Sequence, residues 1–156
     1  MSSSHLIRSI RALRAEGGVA MVEFALVLPI LMLLLVGLLD FGKAYNYFAE
    51  ETHLANEAAR YAVVNANVNG DLAGFVKNQA DTAELRSNMT LCIAPGAGAS
   101  SPPKVGDPIV ATATYTYSFL PLIGSKVGAT KVIKATATMR LETPITTAVF
   151  TGGSCP

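Results

Sequence analysis

The feature that most constrains this chain is an apolar run over residues 24–39, which contains no charged and no strongly polar side chain. As an α-helix this run is ~24 Å long, short of the ~30 Å hydrocarbon core of a bilayer. Extending it back to Val19 gives ~31 Å but includes Glu23, and a carboxylate inside a membrane helix is costly and marks a functional position by default. The run predicts a membrane-spanning helix over residues 19–39, with a buried core helix as the alternative. Pro29 removes a helical hydrogen bond and predicts a kink.

Composition helps to choose between these alternatives. Hydrophobic residues make up 51% of the 156-residue chain and charged residues 15%, whereas an ordinary soluble domain has about 25% charged residues. The low charge excludes a coiled coil, a disordered charged tail and a strongly basic nucleic-acid binder. The absence of Trp and a net charge of +1 also argue against a base-stacking platform. No later segment is apolar enough to surround a core helix, which favours the membrane.

Charges on either side of the run predict its orientation. The N-terminal flank carries three basic residues, Arg8, Arg11 and Arg14, and one acidic residue, Glu16. The other flank begins with Asp40 and has one nearby cation, Lys43. Because positive flanks stay on the cytoplasmic side, we expect a single-pass protein with a cytoplasmic N-terminus and an exported segment after residue 39.

The two cysteines, Cys92 and Cys155, both lie in the predicted exported part. An oxidising compartment permits a disulfide between them. Such a bond would close a loop of about 60 residues and stabilise the fold by ~3–4 kcal/mol on the loop-entropy estimate. Two free buried thiols are the alternative.

A glycine pair ends the basic segment directly before the apolar run. The run is longer than the h-region of a secretory signal peptide, and no small-x-small cleavage site follows it. At its start, however, Gly18 precedes Val19, Glu23 is the fifth residue after Gly18, and Phe24 follows Glu23. This arrangement resembles the type IV prepilin signal, which has a basic leader, a glycine at the cut, a glutamate at the fifth mature position and then an apolar helix.

Three sequence blocks extend the resemblance along the chain. They read VEFALVLP at residues 22–29, GLLDFG at 37–42 and AARYA at 58–62. With the basic leader, these blocks resemble the N-terminal signature of TadE-like proteins, which are pseudopilins of the tight-adherence (Tad/Flp pilus) secretion machinery. The resemblance covers residues 18–66, roughly a third of the chain.

The resemblance implies a precursor that is cut after Gly18 by a prepilin peptidase and held in the inner membrane. It also implies an inner-membrane platform and other Tad pseudopilin or pilin subunits as partners. Physically, glycine offers a scissile peptide without a side chain, and the cut would create an α-amino group on Val19 with a pKa near 8. Glu23 then has a cationic partner, most usefully on a neighbouring subunit. The alternative is that Glu23 only extends to the membrane interface.

The exported part changes its hydrophobic period along the chain. The pattern over residues 40–69 predicts a continuation of the helix with an apolar stripe that covers the protein's own sheet, contacts another subunit, or does both. The members of the stripe are Phe41, Ala44, Tyr45, Phe48, Thr52, Ala55, Ala58, Ala59, Ala62, Val63 and Ala66. The pattern of apolar residues over 71–87 predicts a second short helix. The glycines and prolines over 94–104 predict a loop. Alternation over 109–119 and 132–142 predicts two half-buried strands with one polar face, and a third short strand is expected over 145–151.

These elements predict an α+β fold in which a long N-terminal helix packs on a small antiparallel sheet, as in pilins. The expected divisions are a leader over 1–18, a membrane helix over 19–39, its amphipathic continuation over 40–69 and a small exported domain over 70–156. His5 and His53 are isolated, so the sequence predicts no catalytic residues, metal site, cofactor, small-molecule substrate or nucleic-acid partner. The alternative function is an uncleaved single-pass anchor whose exported domain binds envelope material.

Overall fold

The computed structural model describes residues 3–64, 70–119, 130–145, 150 and 155, with the backbone alone for residues 3–17. Helix α1 extends over Ser3–Val63, followed by α2 at Leu72–Lys77 and α3 at Ala83–Asn88. Strands β1 (Thr90–Pro95), β2 (Pro108–Ser118) and β3 (Thr130–Arg140) follow. They form an antiparallel sheet in the order β1-β2-β3. The α+β class predicted from the sequence is confirmed.

The chain divides into two compact units, Met1–Gly42 and Lys43–Pro156. The first unit is helical wherever it is described and includes Pro29 within the helix. Its apolar side chains face outward, since none of the most apolar 18-residue window of α1 is buried. That window has a mean hydropathy of 2.7, so α1 is long and apolar enough to cross a membrane.

The second unit has its own hydrophobic core between the later half of α1, the two short helices and one face of the sheet. Small side chains dominate on both sides: Ala58, Ala59 and Ala62 of α1 are fully buried, as are Ala111 and Ala113 of β2. Small residues let a helix approach a sheet closely without leaving voids. The chain after β3 returns to the end of this helix, where the Glu142 amide donates to the Val63 carbonyl at 3.0 Å.

The alternation predicted for the two long strands is confirmed. On β2, Ile109, Tyr115 and Tyr117 are buried, whereas Thr116 and Ser118 are exposed. On β3, the buried positions are Ala135 and Ala137, and the residues between and around them are exposed. A two-residue period places one set of side chains on the core and the other in solvent.

Three parts of the sequence prediction differ from the structure. The single helix predicted over 71–87 is two helices, because Asp71 caps α2 through the Gly74 amide (2.8 Å) and Thr82 caps α3 separately through the Leu85 amide (3.3 Å). A Cβ at residue 74 would collide with the Asp71 carboxylate, so the cap depends on this glycine. Strand β1 was not predicted. Helix α1 ends at Val63, and residues 65–69, over which it was expected to continue, lie outside the described residues, as does most of the strand expected over 145–151.

The apolar stripe predicted for the exported half of α1 meets the core of this unit only over its later part. Phe41, Tyr45, Phe48 and Thr52 are exposed. The face that meets the core instead carries Tyr47, Glu51 and Leu54, which are 3%, 0% and 1% exposed. From Ala55 to Val63 the predicted face is the buried one. Aromatic residues occur on both faces of the first two turns, so the period alone does not decide which face is covered.

Candidate functional site

The residues expected at a processing site lie on one stretch of α1. The helix passes through Gly17 and Gly18 without a break, although glycine costs about 1 kcal/mol relative to alanine inside a helix. A Cβ placed on Gly18 would meet no atom within 4 Å, and Val19 is 61% exposed. The peptide bond between these residues is therefore open to solvent on this helix.

Glu23 follows Val19 by one helical turn, which places the two residues on the same face. Its side chain is exposed, and so is that of Phe24, at 62%. Pro29 lies inside the helix and is also exposed. The structure thus places all five residues on the outward surface of one apolar helix, with Val19 and Glu23 one turn apart.

Cys92 and Cys155 are joined by a disulfide across a sequence separation of 63 residues. Cys92 lies on β1, at the position paired with Thr112 of β2. Thr112 is only 2% exposed although it points away from the core face. The bond attaches the end of the chain to the strand that the sequence did not predict.

A polar cluster of Lys43, Tyr47, Glu84 and Tyr115, here called the Glu84 cluster, joins three elements of the second unit. The Glu84 carboxylate of α3 accepts a hydrogen bond from the Tyr115 hydroxyl of β2 at 2.7 Å. Its other oxygen accepts from the Tyr47 hydroxyl of α1 at 2.7 Å and from Lys43 Nζ at 3.1 Å. The ammonium of Lys43 also lies 5.3 Å from the centre of the Tyr47 ring, within reach of a cation–π interaction.

These hydrogen bonds set the protonation states within the cluster. The Tyr115, Tyr47 and Lys43 donors together lower the pKa of Glu84 to about 2, so it is a carboxylate at neutral pH. Burial, and then the bond to Glu84, raises the pKa of Tyr115, and the same two causes raise that of Tyr47. Both phenols therefore stay protonated as donors, and the cluster offers attachment between elements rather than a nucleophile or a base.

Glu51 is the second unexpected acidic residue. It is fully buried, and neither of its carboxyl oxygens has a hydrogen-bond partner. Desolvation, and then the neighbouring charge of Glu50, raises the pKa of Glu51 to about 8. A buried acid without donors is held neutral because its charged form cannot be solvated. The sequence did not single out the burial of Glu51, which follows Glu50 on a polar stretch of α1, or the contacts of Glu84, the one acid of the short helix α3.

Surface grooves along α1 contain no constellation of catalytic residues. His53 lines both grooves beside this helix, and its Nδ1 lies 3.8 Å from Glu57 Oε2. The larger groove is also lined by Arg60, by Gln79 and by apolar side chains. Among the described residues, no group of three or more His, Cys, Asp or Glu side chains converges on a metal position.

A comparison with known protein families finds a match that includes the apolar part of α1. The model of the TadE-like protein family matches residues 18–60 of the chain. Over this segment the chain resembles TadE-like proteins. The match confirms the resemblance expected from the sequence and begins at Gly18, directly before the exposed stretch described above. No curated protein and no solved structure matches the chain.

The resemblance to TadE-like proteins over residues 18–60 suggests a component associated with the Tad pilus. The matched segment contains the apolar part of α1, the helix that is consistent with a single membrane anchor. It also contains Tyr47 and Glu51, whereas the three β-strands and Glu84 lie beyond it.

Proposed function

We propose that this chain is a non-catalytic pseudopilin of Tad pilus biogenesis, cut after Gly18 and anchored in the inner membrane by residues 19–39. The observation that carries the proposal is the TadE-like match over residues 18–60 on a helix whose apolar side chains face outward. A surface of this kind is unstable in water and stable in hydrocarbon. A cytoplasmic N-terminus and an exported second unit complete the proposed arrangement.

The proposed partners are those that the TadE-like resemblance implies, and the chemistry of the processing residues is compatible with them. A prepilin peptidase would act at the exposed peptide bond after Gly18 and release a new α-amino group on Val19. At neutral pH that amine is largely cationic, and in a low-dielectric setting it attracts the Glu23 carboxylate of a neighbouring pilin or pseudopilin subunit. The pairing would fix the depth at which subunits meet beside an inner-membrane platform.

Intact mass and N-terminal sequencing of the protein extracted from membranes test the cut. We expect Val19 as the first residue in cells that carry the peptidase, and a mature chain that begins at Met1 or Ser2 would contradict the proposal. That outcome would leave the uncleaved anchor, whose exported unit binds envelope material, as the better description.

A pair of matched variants locates the cut. Gly18→Val places a branched side chain at the scissile bond and should leave the precursor uncut. Gly17→Val adds the same side chain one residue earlier and should be processed as the wild type is. Equal processing of both variants would show that Gly18 does not define the site.

Glu23 is tested separately from the cut. Glu23→Gln keeps the size of the side chain and removes its charge, so we expect normal processing at Val19 and a loss of pilus assembly. The measurement is the amount of assembled pili on cells that make equal amounts of mature protein. Unchanged piliation would remove Glu23 from the proposed role and leave the processing result intact.

A further inference from the structure

One end of the second unit, here called the entry end, is where the chain enters this unit at Lys43. The ammonium of Lys43 on α1 lies 6.0 Å from the centre of the Tyr117 ring, near the end of β2. Lys131, near the start of β3, is paired with Tyr117 across the sheet. The opposite end, where the Glu142 amide meets the Val63 carbonyl, lies about 30 Å farther along α1.

Exposed tyrosine and phenylalanine side chains of this unit are found only at the entry end, among the residues that the structure describes. Tyr45 is 64% exposed and Phe48 is 47% exposed on α1, and Val132 of β3 is 55% exposed. The opposite end exposes two separate valines, Val64 and Val105. A single apolar side chain is ordinary on a protein surface, whereas a group of them at one end marks a contact surface.

The entry end also carries two exposed ammonium groups, those of Lys43 and Lys131. The Glu84 carboxylate balances the first of them, and Lys131 adds a positive charge. Aromatic rings beside lysine are typical of the layer in which membrane proteins meet lipid headgroups. The rings pack near the boundary of the hydrocarbon, while the ammonium attracts the phosphate groups.

Tyr45 and Phe48 are kept near the bilayer by their position in the chain. They follow Leu39, the last residue of the proposed membrane segment, by six and nine residues, and the chain between is helical. Their Cα atoms therefore lie no more than about 9 and 13 Å beyond the level of Leu39, whatever the tilt of the helix. Helical side chains point back toward the N-terminal end, and the headgroup layer is about 5–8 Å thick. The Tyr45 ring reaches this layer, and a tilt toward this face brings Phe48 to it as well.

The place of the exposed rings on the unit favours lipid over a protein as their cover. A partner protein can cover an apolar patch on any side of the unit, whereas a bilayer can cover only the part that directly follows the membrane segment. In the described part of the unit, Tyr45 and Phe48 both lie within the first six residues.

We infer that the entry end of the second unit rests on the phospholipid headgroup layer, with Tyr45 and Phe48 inserted and Lys131 facing lipid phosphates. The inference rests on the proposed anchoring by residues 19–39 and adds a second attachment, made by the exported unit itself. The unit is then held against the membrane surface rather than carried free of it.

Depth-dependent fluorescence quenching of the full chain in proteoliposomes tests this contact. Because the chain has no Trp, one substitution introduces a single reporter. Tyr45→Trp, Phe48→Trp and Val132→Trp place it at the entry end, and Val64→Trp places it at an exposed position of the opposite end. The vesicles contain phosphatidylcholine and phosphatidylglycerol, with part of the lipid brominated near the headgroup. Iodide in the buffer is the aqueous quencher.

We expect the three reporters at the entry end to lose fluorescence to brominated lipid and to be shielded from iodide. Val64→Trp should show the reverse. Quenching of all four reporters by iodide alone overturns the inference. Shielding of Tyr45→Trp from both quenchers also overturns it, because a protein surface then covers the ring. Quenching by lipid at Tyr45→Trp and Phe48→Trp without Val132→Trp overturns it too, since the helix then inserts without the sheet.

A charge reversal tests the assignment of Lys131. Lys131→Glu, combined with Phe48→Trp, should weaken quenching by brominated lipid, because a carboxylate is repelled by the phosphates. Lys104→Glu makes the same change at the opposite end and should leave the quenching unchanged. Equal quenching in both variants overturns the assignment.

Resistance of the same proteoliposomes to carbonate extraction separates this inference from the proposed function. Protein that resists extraction but shows no quenching by lipid retains the anchor and overturns the surface contact alone. Protein that is extracted overturns the anchor and the surface contact together. Thermal melting of each variant in micelles, compared with the wild type, verifies that the second unit is folded.

Discussion

Leucine has opposite roles in the two units of this chain. Leu33 in the first unit is 58% exposed, whereas Leu54 in the second is 1% exposed. The first unit has many such outward apolar residues and the second buries most of its own in a core built largely of alanine. The high hydrophobic content of the whole chain therefore combines two kinds of surface, one that requires a non-aqueous surrounding and one that provides its own.

Reduction of the disulfide should have the largest effect, and only in the second unit. Because the Cys92–Cys155 bond closes 63 residues, its loss should lower the free energy of unfolding by about 4 kcal/mol on the loop-entropy estimate. Thermal denaturation of the full chain in detergent micelles, with and without reductant, measures this. Recovery in the membrane fraction should not change, and a reduced protein that melts as the oxidised one does would contradict the prediction.

A charge in the first unit should have the next largest effect. Leu33→Lys places an ammonium inside the apolar helix at a cost of about 2.5–3.5 kcal/mol near the middle of a membrane span. Val105→Lys is the matched control, since Val105 is 56% exposed and surface changes usually cost less than about 0.5 kcal/mol. Carbonate-resistant recovery from membranes should fall for the first variant alone. Equal recovery of both would mean that residues 19–39 do not anchor the chain.

Because Glu51 is buried with a raised pKa, we expect the second unit to lose stability as the pH rises. The folded pKa of Glu51, about 8, lies above the ordinary glutamate value of 4.5, so the folded state holds the proton more tightly than the unfolded chain does. The free energy of unfolding should fall between pH 4.5 and pH 8, by up to about 1.4 kcal/mol per pH unit. Glu51→Gln should flatten that slope in pH-dependent melting curves. The exposed Glu142→Gln should keep it, and an unchanged slope in Glu51→Gln would show that another group is responsible.

The Glu84 cluster should have the smallest effect, with the opposite dependence on pH. The pKa of Glu84 is lowered to about 2. The stabilisation of the folded state by the cluster is therefore complete above pH 4.5 and is lost as the pH falls toward 2. Tyr115→Phe removes one donor and should cost about 1 kcal/mol at neutral pH. The cost should shrink in acid, as followed by thermal melting. Tyr45→Phe changes an exposed phenol and is expected to melt as the wild type does at both pH values.

Much of the fold could be predicted from local pattern. The apolar run predicts the outward-facing part of α1, and two-residue alternation predicts β2 and β3, because each signal depends on residues that are near one another in sequence. Strand β1 has only six residues, TLCIAP, without a clear alternation, and it is recognised by its pairing with β2. The break between α2 and α3 depends on two separate caps that a continuous apolar period conceals.

The polar groups of the second unit could not be predicted in this way. Glu84 meets Tyr47 across 37 residues and Tyr115 across 31, so its role exists only after the sheet and helices have packed. Glu51 resembles a solvent-exposed residue in sequence and is buried because α1 presents Tyr47 and Leu54, rather than Tyr45 and Phe48, to the core. The processing residues are local to one segment, which is why sequence alone proposes them.

The disulfide also has a mechanical consequence for a protein that is held at one end. If a pulling force acts between the N-terminal helix and the end of the chain, the bond carries the load from Cys92 directly to Cys155. The residues between them, across a sequence separation of 63, would extend to roughly 200 Å as an unfolded strand and are then excluded from the stretched path. Under tension the second unit can lengthen only through the residues before Cys92, so β2 and β3, which lie within the closed loop, are not on the path that carries the load.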